Sequence, residues 1–303
     1  MTIQTALNQL FTAHYNHPER GGVAQAPRNT LKDMSLLWLR VALGCYAVGL
    51  LYALVALTRT SELLNKVALH AAYLGMVFHC VSLVEIFVGS SGHFTLASVH
   101  NSESLLAFII MLGFMLAYLI YKTTSPGIVV FPLVFLLTFV AATGQAPLLF
   151  MSPGVRNGWL FFHIATIFTG YAALVLSFGC SLLYLIQERS LKSKSPVLSR
   201  LPALEVIDQI GYRSLLLGFP FMTLGLTAGI VVAQNAYHQV NFFDPKILLS
   251  VLMWVVYLVM LYTRWNAGWR GRRAAVMASI AFVTAVVAWA ANYFSSIHRF
   301  VTS

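Results

Sequence analysis

Leu215–Val232 reads LLLGFPFMTLGLTAGIVV and Ile247–Tyr262 reads ILLSVLMWVVYLVMLY; between them lies Ala233–Lys246, AQNAYHQVNFFDPK. A hydrocarbon core about 30 Å thick takes roughly 20 apolar residues in a helix, so each run can cross a bilayer. Lipid offers the backbone no hydrogen-bond partner, which makes both runs helices. The short loop they enclose, rich in aromatic and amide side chains and closed by Asp-Pro-Lys, then sits at a membrane surface. Several aromatics at such a surface can hold a flat ligand that is partly apolar and partly anionic. The nearest rival, Ser90–Glu103, also carries a carboxylate and no Lys or Arg, but a single aromatic.

The rest of the chain follows the same pattern. It is 59% hydrophobic and 9% charged, with mean hydropathy +0.78, far from the composition of a soluble domain. Eight apolar stretches are long enough to be spans: Met34–Thr58, Leu63–Gly89, Ser104–Tyr121, Gly127–Thr143, Trp159–Ile186, Ser214–Ala233, Ile247–Tyr262 and Ala274–Phe294. No alternating barrel-strand segments occur. The expected fold is all-α, a polytopic integral membrane protein of about eight transmembrane helices. Residues 34–303 form one membrane domain, and residues 1–33 a tail with no signal-peptide core. Ile3, Leu7, Leu10 and Phe11 fall on one helical face of that tail, which reads either as a surface amphipathic helix or as a disordered segment.

Lys and Arg placement sets the expected orientation. The segment Gln187–Arg213 carries Arg189, Lys192, Lys194, Arg200 and Arg213, and the segment after Tyr262 carries Arg264, Arg270, Arg272 and Arg273. Both are read as cytoplasmic loops of a cytoplasmic-membrane protein, which leaves both termini outside. Arg20, Arg28 and Lys32 in the tail oppose this arrangement and are outweighed by the two dense loops. The net charge of +10 expresses the same rule, since the basic residues line loops and form no face for nucleic acid. Cys45, Cys80 and Cys180 sit inside separate spans, without CxxC or CxxCH, so neither a redox pair nor covalently held haem is expected.

Histidines are the informative polar residues, because ionisable groups within a membrane are costly. His163 lies just inside the fifth span and His298 just past the eighth, so both flank the outer plane of the Ala233–Lys246 loop. Two imidazoles can fill both axial positions of a haem iron while aromatics pack on the macrocycle. Spacing alone also allows a helix-end histidine at 163 and a solvated tail residue at 298. His70 and His79 point to opposite faces of one helix at 100° per residue. His79 reads as a ligand or as a packing residue. His93 and His100 are expected in the outer loop, and Glu103 at the start of the third span, where a carboxylate complements the helix dipole.

Several ordered blocks carry a family resemblance. They are Gly158–Lys192, GWLFFHIATIFTGYAALVLSFGCSLLYLIQERSLK; the stretch from Leu204, LEVIDQIGYRSLLLGFPFMTLGLTAGIVVAQNAYHQVNFFDPK; then WVVYLVMLYTRWNAGWRGRRAAV and ANYFSSIH; and the earlier GHFTLASVHNSESLLAF. Together they resemble the cytochrome c assembly (CcsA/HemX-type) membrane protein family over most of Gly92–His298. The resemblance implies a tryptophan-rich loop before Asp-Pro-Lys that presents b-type haem, held non-covalently, on the outer face. It implies that His163 and His298 are the axial ligands, and that His79 matches a histidine often found at that point. Here Val232, Tyr237, Asn241 and Phe243 stand in place of the loop tryptophans, His238 in place of a glycine, while Asp244, Pro245 and Lys246 remain. Tyr237 and Phe243 still offer ring faces to a porphyrin, with Asp244 supporting the loop. Tyr262-Thr263-Arg264 replaces a His-Thr-Arg whose histidine serves a second haem within the membrane.

The function implied is presentation or delivery of haem for attachment to apocytochrome c, beside a membrane partner with a large outer domain. No acid–base dyad or nucleophile for the attachment step is visible, so no catalytic residue is assigned and the contribution is positioning. Two other readings stand beside it: a haem-sensing regulator of the HemX kind that performs no ligation, and a transporter-like scaffold without haem. The second lacks the paired broken helices such folds use.

Overall fold

The computed structural model describes residues 26–58, 61–89, 99–143, 158–192, 203–237 and 242–290. These residues form eight helices and no strand: α1 Ala26–Thr58, α2 Glu62–Gly89, α3 Val99–Tyr121, α4 Gly127–Thr143, α5 Gly158–Lys192, α6 Leu204–Tyr237, α7 Pro245–Asn266 and α8 Arg272–Ala290. Six of them are long and apolar enough to cross a membrane, and α4 is shorter at 17 residues. The chain is a polytopic helical membrane protein, with one helix for each apolar stretch of the sequence.

Helix ends depart from the apolar runs. The segment Gln187–Arg213, expected as a loop, is helical up to Lys192 and again from Leu204. A hydropathy profile marks where lipid begins, whereas a helix continues into water when its own surface supports it. Here Lys192 Nζ lies 2.8 Å from Glu188 Oε1, one turn away, and Arg189 and Lys192 face the negative end of the α5 dipole. Likewise α1 begins at Ala26, inside the expected tail, and α3 begins at Val99, so His100 and Glu103 are helical residues. The long loop around Ala233–Lys246 shrinks too, because α6 runs on to Tyr237 and α7 starts at Pro245.

The bundle has two halves. In the first, α1 packs on α2 and α4, and α3 packs on α4. Its core holds Tyr46, Ile110, Met111, Phe114, Phe131 and Val134, joined by Ala172, Val175 and Leu176 of α5. In the second, α5 packs along α6 and α8, and α7 packs on α8, around Leu174, Met222, Met253, Tyr257 and Met260. Helix α5 therefore serves both cores. Helices in lipid gain little from hydrophobic exclusion and pack by close approach of small residues. The α5–α6 contact is of that kind, with Gly170 of α5 facing Met222 and Gly225 of α6 facing Ile167.

Helices α5 to α8 alternate in direction, which gives the second half two distinct ends. At one, Asp208 near the start of α6 meets Arg264 and Gly271 around the α7–α8 turn. At the other stand His163, Gly229, Lys246 and Ala288.

Candidate functional site

The second of these ends contains the histidine singled out from the sequence. His163 lies in the second turn of α5, half-buried against α6. Its Nδ1 is 2.6 Å from the carbonyl oxygen of Gly225. A carbonyl only accepts, so Nδ1 carries the hydrogen and Nε2 keeps a lone pair. Anchoring one ring nitrogen on a backbone carbonyl is how proteins orient a metal-ligating imidazole. Glycines make the approach possible: a Cβ on Gly229 would stand 2.7 Å from His163 Cε1 and 2.9 Å from Nδ1. Neither glycine was identified from the sequence, although Gly225-Leu-Thr-Ala-Gly229 carries the small-xxx-small signature of close helix contact.

Asp-Pro-Lys proves to be a capping device. Asp244 is the N-cap of α7, buried, its Oδ1 accepting from the backbone N–H of Lys246 at 2.8 Å, and Pro245 occupies the first helical turn. Lys246 then reaches across to α8 and donates from Nζ to the carbonyl of Ala288 at 3.2 Å. A cation at the last carbonyls of a helix satisfies an orphan acceptor and meets the negative end of the dipole. The same ammonium interacts electrostatically with His163. Three helices thus converge on one small region: α5 through His163, α7 through Lys246 and α8 through Ala288.

A groove of about 780 Å³ flanks this region. Its walls are Trp159 and Phe162 of α5 and Leu224, Thr227, Ala228 and Val231 of α6. Trp159 and Phe162 meet edge to face, with ring centroids 6.2 Å apart. That size and lining belong to the range of small-molecule and cofactor sites. The sequence offered a clue in Trp159 and Phe162, three apart and on one side of His163, but attention went to the loop. Of the loop aromatics, Phe243 is 84% exposed in the turn before Asp244. The side chain of Tyr237, together with His238, Asn241 and His298, lies outside the described residues.

The other named residues lie apart. His79 of α2 is fully buried between α1 and α3, its Nε2 2.9 Å from Ser104 Oγ and its Nδ1 3.3 Å from the Tyr46 hydroxyl. Both ring nitrogens are engaged inside the first half of the bundle, so the structure gives His79 a packing environment and leaves neither nitrogen open. His70 sits on the exposed face of α2, with Nδ1 2.6 Å from the Lys66 carbonyl. Glu103 is buried in the first turns of α3, 3.8 Å from His100 Nδ1. Tyr262 is 61% exposed on α7. Arg264 is paired with both oxygens of the Asp208 carboxylate.

The His163 end suits a ligand that is flat, largely apolar, edged with anionic groups and centred on a metal. It offers an anchored imidazole with a free lone pair, an aromatic-walled groove and an ammonium. Fold and site together define a multi-pass helical membrane protein with a ligand cleft at one end of its second half. The sequence matches the profile of the family described as Cytochrome C assembly protein over residues 67–297, and the chain belongs to that family. It is 26% identical over 285 residues to the Cytochrome c biogenesis protein CcsA of Guillardia theta, covering 84% of this chain and 89% of that protein. It is also 28% identical over 224 residues to a CcsA of Prochlorococcus marinus (strain MIT 9301), covering 66% and 72%. Against the CcsA of Mesostigma viride it is 25% identical over 219 residues, covering 64% and 72%.

Proposed function

We propose that this chain works in cytochrome c biogenesis by holding b-type haem, non-covalently, at the His163 end and presenting it on the outer face of the cytoplasmic membrane. The observation that carries this reading is the Nδ1 contact of His163 with the Gly225 carbonyl, which orients an open Nε2 beside the groove. His163 supplies one axial ligand. His298 supplies the other, eight residues beyond the end of α8, whose C-terminal carbonyl Lys246 binds at this same end. Trp159 and Phe162 shield the macrocycle from water, and Phe243 and Tyr237 add aromatic surface above it. Asp244 fixes the loop by capping α7. When bound, haem supplies the vinyl groups that receive the cysteine thiols of apocytochrome c. The chain's own share is binding, orientation and exclusion of water. Apocytochrome c and a membrane partner with a large outer domain are the macromolecular partners.

The test is absorption spectroscopy of detergent-purified protein expressed with ample haem. A Soret band and reduced α/β bands of b-type haem are expected; a colourless preparation sinks the proposal. Orientation is tested with a reporter active only in the cytoplasm. Fused after Lys194 it should be active, and after Asn241 silent; the reverse pattern would invert the membrane sides.

Anchoring of His163 gives a further expectation. Gly229→Ala forces the imidazole off the Gly225 carbonyl, because a helix backbone cannot yield and the ring must. Haem dissociation should accelerate several-fold. In a His163→Ala background the same change should add nothing, since the group it displaces is gone. Independent, additive effects would show that Gly229 acts elsewhere.

A HemX-type regulator of haem biosynthesis is the second reading. It is favoured by Tyr262, a lipid-exposed tyrosine where a ligating histidine would complete a second intramembrane site. Deleting the gene separates the two: loss of holo-cytochrome c supports assembly, while unchanged cytochrome c with altered haem-precursor levels supports regulation.

A further inference from the structure

The position of Lys246 is electrostatically awkward for its own helix. It stands in the first turn of α7, directly after the Asp244 cap and Pro245, at the positive end of the helix dipole, where a cation is disfavoured. Its stem does not carry the ammonium outwards to water, as a surface lysine would. Instead the side chain is half-buried and turned across the cleft to α8. Among the described residues the only hydrogen-bond partner of Nζ is the neutral carbonyl of Ala288. An ammonium has three hydrogens to donate, so donor capacity remains. The nearby carboxylate, Asp244, spends Oδ1 on the α7 cap. The imidazole of His163 is within electrostatic reach. A positive charge is thus held beside the metal-binding nitrogen, in a cleft otherwise walled by aromatic and aliphatic groups.

We propose that Lys246 binds a propionate carboxylate of the macrocycle and is thereby the residue that fixes which edge of it meets the α7–α8 side of the cleft. This rests on the haem reading above and adds an anion subsite to it. Lys246 then has two partners, a helix end that positions its stem and a ligand carboxylate that takes its remaining hydrogens. A charge-assisted contact of this kind in a cleft sheltered from water is stronger than a neutral one. Its loss should be visible in the rate at which the ligand leaves.

The experiment compares two porphyrins, iron protoporphyrin IX and its propionate dimethyl ester, each loaded onto the full-length protein in detergent. Dissociation is followed by transfer to apomyoglobin. Wild type should release the ester on the order of tenfold faster, or more, than the free acid. Lys246→Met should release both at one fast rate, because the partner of the carboxylate is gone. Lys246→Arg, which keeps the cation, should keep most of the discrimination, and it guards against a Met variant that merely folds poorly. If Lys246→Met discriminates between acid and ester as strongly as wild type, Lys246 is only the α8 cap and the proposal falls. If wild type itself does not discriminate, no carboxylate is bound there and it falls equally. A wild type that takes up neither porphyrin overturns the haem reading as well, a different result from the other two.

Discussion

Replacing His163 by alanine should turn a low-spin, six-coordinate haem spectrum into a high-spin, five-coordinate one and speed haem loss markedly. The change removes a ligand and leaves a cavity the size of an imidazole beside the metal, open to the groove of Trp159 and Phe162. Added imidazole should enter and restore much of the six-coordinate spectrum. His298→Ala should behave alike. His70→Ala should leave the spectrum alone, because that side chain is exposed on α2 in the other half of the bundle. His79→Ala makes the sharper comparison. It empties a buried site and strands the hydroxyls of Tyr46 and Ser104. The expected cost is roughly 1–3 kcal/mol of stability, seen as lower folded yield with no change in iron coordination and no imidazole rescue. Wild-type low-spin spectra in both His163→Ala and His298→Ala would end the ligand assignment.

The largest effect on stability is expected at the opposite end. Arg264 lies on the Asp208 carboxylate through two bonds, at 2.9 and 2.5 Å, and over the Tyr212 ring at 4.6 Å. The same carboxylate accepts the Gly271 N–H at 3.3 Å, in a turn where φ of +63° suits glycine. Tyr212 in turn accepts from Trp265 Nε1 at 2.8 Å. One carboxylate therefore ties α6 to α7 and to the start of α8. Asp208→Ala leaves a guanidinium whose side chain is only 12% exposed without its counter-charge. Such a loss costs about 3 kcal/mol in buried pairs, and somewhat less here because both groups keep some access to water. The thermal midpoint in detergent should fall clearly, and Asp208→Ala/Arg264→Met should recover part of it by removing the stranded charge. Haem coordination at the far end should be unchanged in the molecules that stay folded. An Asp208→Ala protein as stable as wild type would show that this clamp is ornamental to the fold.

Composition made the helices legible. Each apolar stretch became one helix, because burial in lipid depends on side-chain transfer and on little else. Their ends were less legible: Glu188 and Lys192 extend α5 by a local pair that hydropathy does not register. The angular argument separating His70 from His79 agrees with the structure, one exposed and one fully buried. His163 could be chosen from its position, but its anchor could not, since Gly225 is 62 residues away and the contact depends on how closely two helices approach. Arg264 was counted as a topological charge for the same reason, its carboxylate lying 56 residues earlier. Attention to the loop hid the aromatic wall on α5. The lost tryptophans drew the eye to Phe243, which is 84% exposed, while Trp159 and Phe162 stand at the groove itself.

The bond from Lys246 to Ala288 spans 42 residues and joins the beginning of α7 to the final turn of the last helix. A ribosome adding about 5–20 residues per second needs several seconds to cover that interval. Throughout it, α5 and α6 are already made and His163 can meet its glycine, yet the lysine beside it has no carbonyl to hold. The cleft is therefore finished by the last piece of the chain to leave the ribosome. A nascent or prematurely terminated chain carries an unclosed pocket, and cofactor capture becomes a report that synthesis has run to the end.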